Sequence, residues 1–283
     1  MINIEKAIRK FLRDADLMDD DFMKICLHDH MNCIQAMIQH VLSSKNIKIV
    51  KVELQKIYQG FNRSLIIDIF AEDEDGTIYD VEIQRLNSGA TPRRARFHGG
   101  MMDVHHLGKG HDFADLPDSY VIFITENDVI GHGKTMYTIS KYVDGFNEPF
   151  NDGQHIIYVN CSADNDGSEV WKLIHDMTCK NPDEMLIPEL AERVSELKET
   201  PKGEREVNKY FKEFVKEAME KGLAEGKAEG KAEGRAEGKA EAQENFVSTL
   251  IKAGVMTLEK IAETFSIPLS DVQAIAGRIN NNA

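Results

Sequence analysis

The 283-residue chain carries 34 Lys and Arg against 48 Asp and Glu, a formal net charge of −14, with 42% apolar and 29% charged residues. That balance describes a globular protein of one or two domains and excludes wholesale disorder, a collagen-like chain or a coiled-coil rod. No apolar run approaches the roughly 18 residues of a membrane span, and MINIEKAIRKFLRDADLMDD has acids where a secretory signal is apolar, so a cytoplasmic protein with no membrane partner is expected.

Cys26, Cys33, Cys161 and Cys179 are too scattered for a disulfide framework or a thiolate zinc site and read as reduced, partly buried thiols. The acidity opposes broad attachment to nucleic acid but says nothing of local patches. It is unevenly placed: Lys221–Ala242 and Asn245–Ala283 are each balanced, Glu244 carries one charge, and the first 220 residues carry −13.

From Asp20 to Leu42, Phe22, Ile25, Ile34, Met37, Ile38 and Val41 fall at helical spacing. Strand-like runs follow at IKIVKVELQKIY, SLIIDIFA, TIYDVEIQ, SYVIFIT, MYTISKYV and HIIYVNC. Between the third and fourth, Thr91-Pro92 supplies a cap and a first-turn proline for a helix through RRARFHGGMMDVHH. Helix, three strands, helix, strand predicts a layered α/β core within residues 1–215.

Residues 216–244 hold an A-E-G-(K/R) repeat. A four-residue period drifts about 40° per repeat around a helix. Glu then lies four residues from Glu, Lys four from Lys, and each Gly costs about 1 kcal/mol against Ala. Either a semi-flexible tether or a helix packed against another copy, and hence a homo-oligomer, fits this pattern. Residues 245–283 form a small all-α unit whose Ala262, Ser266, Val272 and Ile275 have helix-turn-helix spacing. Its second helix offers only Arg278 to a DNA groove, which favours a packing or protein-binding role.

The chemistry concentrates in SLIIDIFAEDEDGTIYDVEIQ. Strand alternation sets Asp80, Glu82 and Gln84 on one face and Val81 and Ile83 on the other. A three-residue loop, Glu74-Asp75-Gly76, with Gly76 left-handed, pairs Asp73 with Thr77 and hence Asp68 with Glu82. Asp68 lies inside an apolar run, where a carboxylate is costly unless paired or bound to a cation. Two facing carboxylates repel, and a divalent cation relieves this with hard oxygen ligands. Gln84, about 6.6 Å further along the same face, can orient a water bound to that cation. Arg93, Arg94 and Arg96 with His98 form a basic patch at the start of the next helix, suited to phosphate oxygens. Gly99-Gly100 in mid-helix implies a close approach to the sheet or to substrate. Cys26–His30 and His105, His106 and His111 show no consistent ligand spacing. Gly131-His132-Gly133-Lys134 reads as a turn between strands, and Trp171 as core.

LIIDIFAEDEDGTIYDVEIQR, TPRRARFHGGMMD, LPDSYVIFITENDVIGHGKTMYTI and DGQHIIYVNC occur in an order and spacing that resemble the PD-(D/E)XK nuclease family transposases, over about Asp21 to Cys161. The resemblance implies a restriction-endonuclease-like core, a mixed central sheet flanked by helices. It implies DNA as substrate and cleavage with Mg²⁺, for which Mn²⁺ can substitute. Asp68 matches the family's first metal-binding aspartate and Glu82 the acid of its E-x-Q motif. Gln84 stands where the wider superfamily usually has Lys, and Arg94 matches the helix arginine; Arg93 and Arg96 match less closely. Gly99-Gly100 replaces small polar residues. The contrasting class is a non-catalytic nuclease-like core whose repeat tail assembles copies.

Overall fold

The computed structural model describes residues 4–60, 62–213, 216, 247–248, 251, 256–265 and 267–281. They fall into two compact units, Met1–Phe211 and Lys212–Ala283. The A-E-G-(K/R) repeat, and with it the proposed assembly through the tail, lies outside the described residues.

Unit 1 is built on a six-stranded mixed sheet of order β1-β2-β3-β4-β8-β5. Its strands are β1 (Ile49–Tyr58), β2 (Leu65–Asp73), β3 (Ile78–Gln84), β4 (Ser119–Thr125), β5 (Met136–Ile139) and β8 (Gln154–Asn160). The first three form an antiparallel meander; β3, β4 and β8 run parallel, and β5 returns antiparallel at the edge. A separate small hairpin pairs β6 (Tyr142–Val143) with β7 (Glu148–Pro149). The run MYTISKYV, expected as one strand, is thus two. Lys141 sits at the break, its ammonium held by Asp152 at 2.6 Å and Gln154 at 2.9 Å.

Helices cover both faces. One face packs against α1 (Ile4–Asp14), α2 (Asp20–Leu27), α3 (Met31–Val41), α5 (Glu169–Thr178), α6 (Pro188–Glu199) and a helix over 201–213, here α7. Tyr79, Val81, Ile122, Ile124 and Val159 point into this layer. The other face carries α4 (Pro92–His106), which encloses a smaller core with Ile67, Phe70, Ile78, Val121, Phe123 and Tyr158. α4 starts where the sequence predicts, with the Thr91 hydroxyl accepting from the Arg94 amide at 3.3 Å and Pro92 in the first turn.

The helical stretch expected over 20–42 is interrupted after Leu27. Asp29 takes a left-handed backbone, φ 59°, which a short polar side chain tolerates better than most. The buried Arg193 guanidinium ends α2 by donating to the carbonyls of Ile25 and Cys26, both at 3.0 Å, while pairing with Glu196 and Glu206.

In unit 2, α8 (Leu258–Phe265) and α9 (Leu269–Asn281) pack through Ile261, Ile267, Val272 and Ile275, with Val247. Ser266, the proposed turn residue, lies outside the described residues. Among the described residues no helix is long and apolar enough to cross a membrane.

Candidate metal centre

The site forms where the antiparallel meander meets the parallel half of the sheet. Gly76 has φ 84°, and the Asp73 amide donates to the Thr77 carbonyl at 3.0 Å across the Glu74-Asp75-Gly76 loop. The β2–β3 ladder therefore follows the predicted register through Phe70 opposite Asp80 and Ile69 opposite Val81, and ends there, one step short of Asp68 and Glu82. The Asp68 amide donates to Glu82 Oε1 at 2.9 Å.

Asp80 and Glu82 turn toward α4 and are fully buried. Arg94 and His98, four residues apart on one face of α4, reach down to them. Arg94 Nη2 donates to Glu82 Oε2 at 2.9 Å, its Nε lies 3.1 Å from His98 Nε2, and His98 Nδ1 lies 2.7 Å from Asp80 Oδ2. Asp80 Oδ1 is buried with no hydrogen-bond partner among the described residues. One ligand atom each from Asp80, Glu82 and His98 lies within 4.8 Å of the others, and among the described residues this is the one such cluster of three.

Burial dominates the electrostatics. It pushes Asp80 up to about 8, the charge of Asp68 adding to the effect. It pushes Glu82 up to about 8 as well, the charges of Asp80 and Asp68 adding to the effect. His98 is driven down to about 4 by the same burial. A pair of buried acids that resists ionisation, with one oxygen unsatisfied, is a donor set suited to a divalent cation.

The Asp68 carboxylate lies beside this cluster. It accepts from Gln55 Nε2 at 3.0 Å and, more weakly, from the Ile83 amide at 3.3 Å, and burial raises its pKa. Gln55 has φ 52°, a strained value for a non-glycine in a strand, and lies between Leu54 and Lys56, which pair with Ile69 and Ile67 on either side of Asp68. Gln84 follows on β3; its amide lies against Gly89, where any Cβ would collide with it. Next in sequence, Arg85 anchors the α1–α2 connection, bonding the Met18 carbonyl at 3.0 Å and Asp16 at 2.8 Å.

Arg93 and Arg96 are exposed on α4 and pair with no acid among the described residues; Glu74 is taken by Lys48 and Asp73 by its own turn and Tyr79. His98, expected beside them at the phosphate edge, is instead wholly buried beneath Arg94. Ala95, His98 and Met102 form the inward stripe of α4, a spacing that marks His98 as internal. Gly99 admits the Gln154 amide of β8, a close approach of helix to sheet, whereas Gly100 faces open space. The amides of Gly131 and Gly133 both point at Asp128, at 2.7 Å each, and close a turn after β4.

A mixed sheet with a β-meander, a crossover helix and acids on the second and third strands has the layout of a PD-(D/E)XK nuclease core. The family model described as PD-(D/E)XK nuclease family transposase matches residues 24–169, just over half of the chain, and the chain belongs to that family. No curated protein and no solved structure matches it.

Proposed function

We infer that this protein is a metal-dependent endodeoxyribonuclease that hydrolyses phosphodiester bonds of DNA, related in use to recombination or transposition. The observation that carries this reading is the buried Asp80–Glu82 pair, with its unsatisfied oxygen, closed on one side by Arg94. Asp68 and Glu82 would hold the cation, Mg²⁺ or in its place Mn²⁺, and Asp80, clustered with Glu82, would add its unpaired oxygen. When bound, the cation supplies Lewis-acid activation of water and neutralises charge at the phosphate.

The chain's own groups do the rest. Glu82 is steadied by the Asp68 amide, so the hairpin backbone fixes the acid to the sheet. Gln84, held by its packing on Gly89, offers an amide to orient the attacking water. Arg94, its side chain 38% exposed, has N–H groups left for a phosphate oxygen and stabilises charge developing there. Arg93 and Arg96 provide further phosphate contacts along the same edge.

The test is nicking of supercoiled plasmid by the full-length protein with Mg²⁺. Asp68→Ala and Glu82→Gln should each lower the rate by about 10²–10³-fold. Equal rates in wild type and variants would overturn the reading. A folded wild type that binds no Mg²⁺ and cuts no DNA would favour the non-catalytic alternative.

A further inference from the structure

The Arg94–His98 contact has only one possible direction. A guanidinium N–H donates and never accepts, so His98 Nε2, 3.1 Å from Arg94 Nε, is the bare, accepting nitrogen. The ring proton then sits on Nδ1 and is given to Asp80 Oδ2 at 2.7 Å. Both ring nitrogens are thereby committed, and the ring is wedged under α4 with Phe123 tilted against it, centroids 5.6 Å apart. To bind a cation the imidazole would have to release either Arg94 or its own proton. Proximity alone makes His98 a member of the acidic cluster; the direction of its hydrogen bonds removes it.

We propose that His98 is a positioning residue and not a metal ligand: as the neutral Nδ1–H tautomer, backed by Asp80, it fixes the Arg94 guanidinium between Glu82 and an incoming phosphate. This rests on the nuclease reading above. The guanidinium is held at two points, Nε by His98 and Nη2 by Glu82, which sets its plane. A rigid fork presents its remaining donors in a fixed direction, where a freely rotating one would lose that advantage. Asp80 thereby has two duties, one oxygen on the ring and the other open to the cation.

Two measurements on the full-length protein decide this. Long-range ¹H–¹⁵N NMR of His98 in the metal-free protein should show a proton on Nδ1 and none on Nε2, unchanged when Mg²⁺ is added. A proton on Nε2, or a ring that changes tautomer on Mg²⁺ addition, would overturn the proposal. Affinity for duplex DNA in Ca²⁺ should weaken about tenfold in His98→Phe, which keeps the volume but loses both bonds, with Mg²⁺ affinity held within about threefold. His98→Gln, whose amide oxygen can accept from Arg94, should recover most of the DNA affinity. Loss falling on Mg²⁺ affinity instead, or equal damage by both substitutions, would show that His98 acts as a ligand or only fills space. A wild type that neither binds Mg²⁺ nor nicks DNA removes the nuclease reading itself. An Nε2–H ring in a protein that does nick DNA removes this proposal alone.

Discussion

Asp80 accepts from His98 at 2.7 Å through one carboxylate oxygen, and its other oxygen is buried with no partner among the described residues. Such a carboxylate burdens the fold and favours a cation. Asn at this position keeps an acceptor for His98 and sets an N–H₂ group beside Glu82. Asp80→Asn is therefore expected to raise the stability of the metal-free protein at pH 8 by on the order of 1–3 kcal/mol. It should weaken Mg²⁺ binding by at least about tenfold. Urea unfolding and calorimetry read the two effects; a less stable variant with unaltered Mg²⁺ affinity would contradict both.

Proton release should accompany cation binding. Asp80 and Glu82 are raised to about 8, so near neutral pH the pair retains protons that a cation must displace. Mg²⁺ affinity should climb as pH rises from 6 toward 8 and level off above. In the metal-free protein the sign is opposite. A raised carboxyl pKa contributes stability below the unfolded value of about 4, and that contribution fades as pH rises through about 8. Calorimetry in buffers of different ionisation enthalpy measures the protons released; none released at pH 7 would mean the acids are already charged.

Arg93 and Arg96 face solvent with no acidic partner among the described residues, and on the proposed reading they meet DNA phosphates. Replacing either with Ala should weaken DNA binding uniformly across sequences and reduce the slope of log K against log salt by about 1. Fluorescence anisotropy over a salt series tests this. An unchanged slope in the double variant would place the DNA path elsewhere.

The adjacent glycines of α4 should respond differently to Ala. Gly100 has open space where a Cβ would go, so Gly100→Ala should stabilise by about 0.5–1 kcal/mol through helix propensity. At Gly99 the methyl would meet the Gln154 amide, whose oxygen bonds Lys141. That repulsion should cancel the gain or reverse it. Thermal unfolding of the two variants shows the difference, and equal shifts would mean that Gln154 yields freely.

The hairpin was the most legible part of this sequence, because loop length and a left-handed glycine determine strand register by local geometry alone. The crossover helix was equally readable from Thr91-Pro92. What sequence patterns missed depended on long-range contacts. Gln55, whose amide holds Asp68 from the neighbouring strand, carries no signal of its strained backbone. Asp80 read as one acid on a polar face, since alternation shows which residues share a side but not that a helix will bury that side. Proximity in sequence puts His98 with the basic patch, whereas its place on the Ala95–Met102 stripe turns it inward. The break at Asp29 hid within continuous helical spacing.

The three-residue turn at Glu74-Asp75-Gly76 reaches further than its exposed position suggests. Surface hairpin tips usually accept gains and losses of residues. Here, adding or removing one residue would shift the strand register by one and exchange the two faces of β3. Tyr79, Val81 and Ile83 would then stand under α4, with the acids on the opposite side. The turn acts as a counting device: its three residues decide which face of β3 Asp80 and Glu82 occupy.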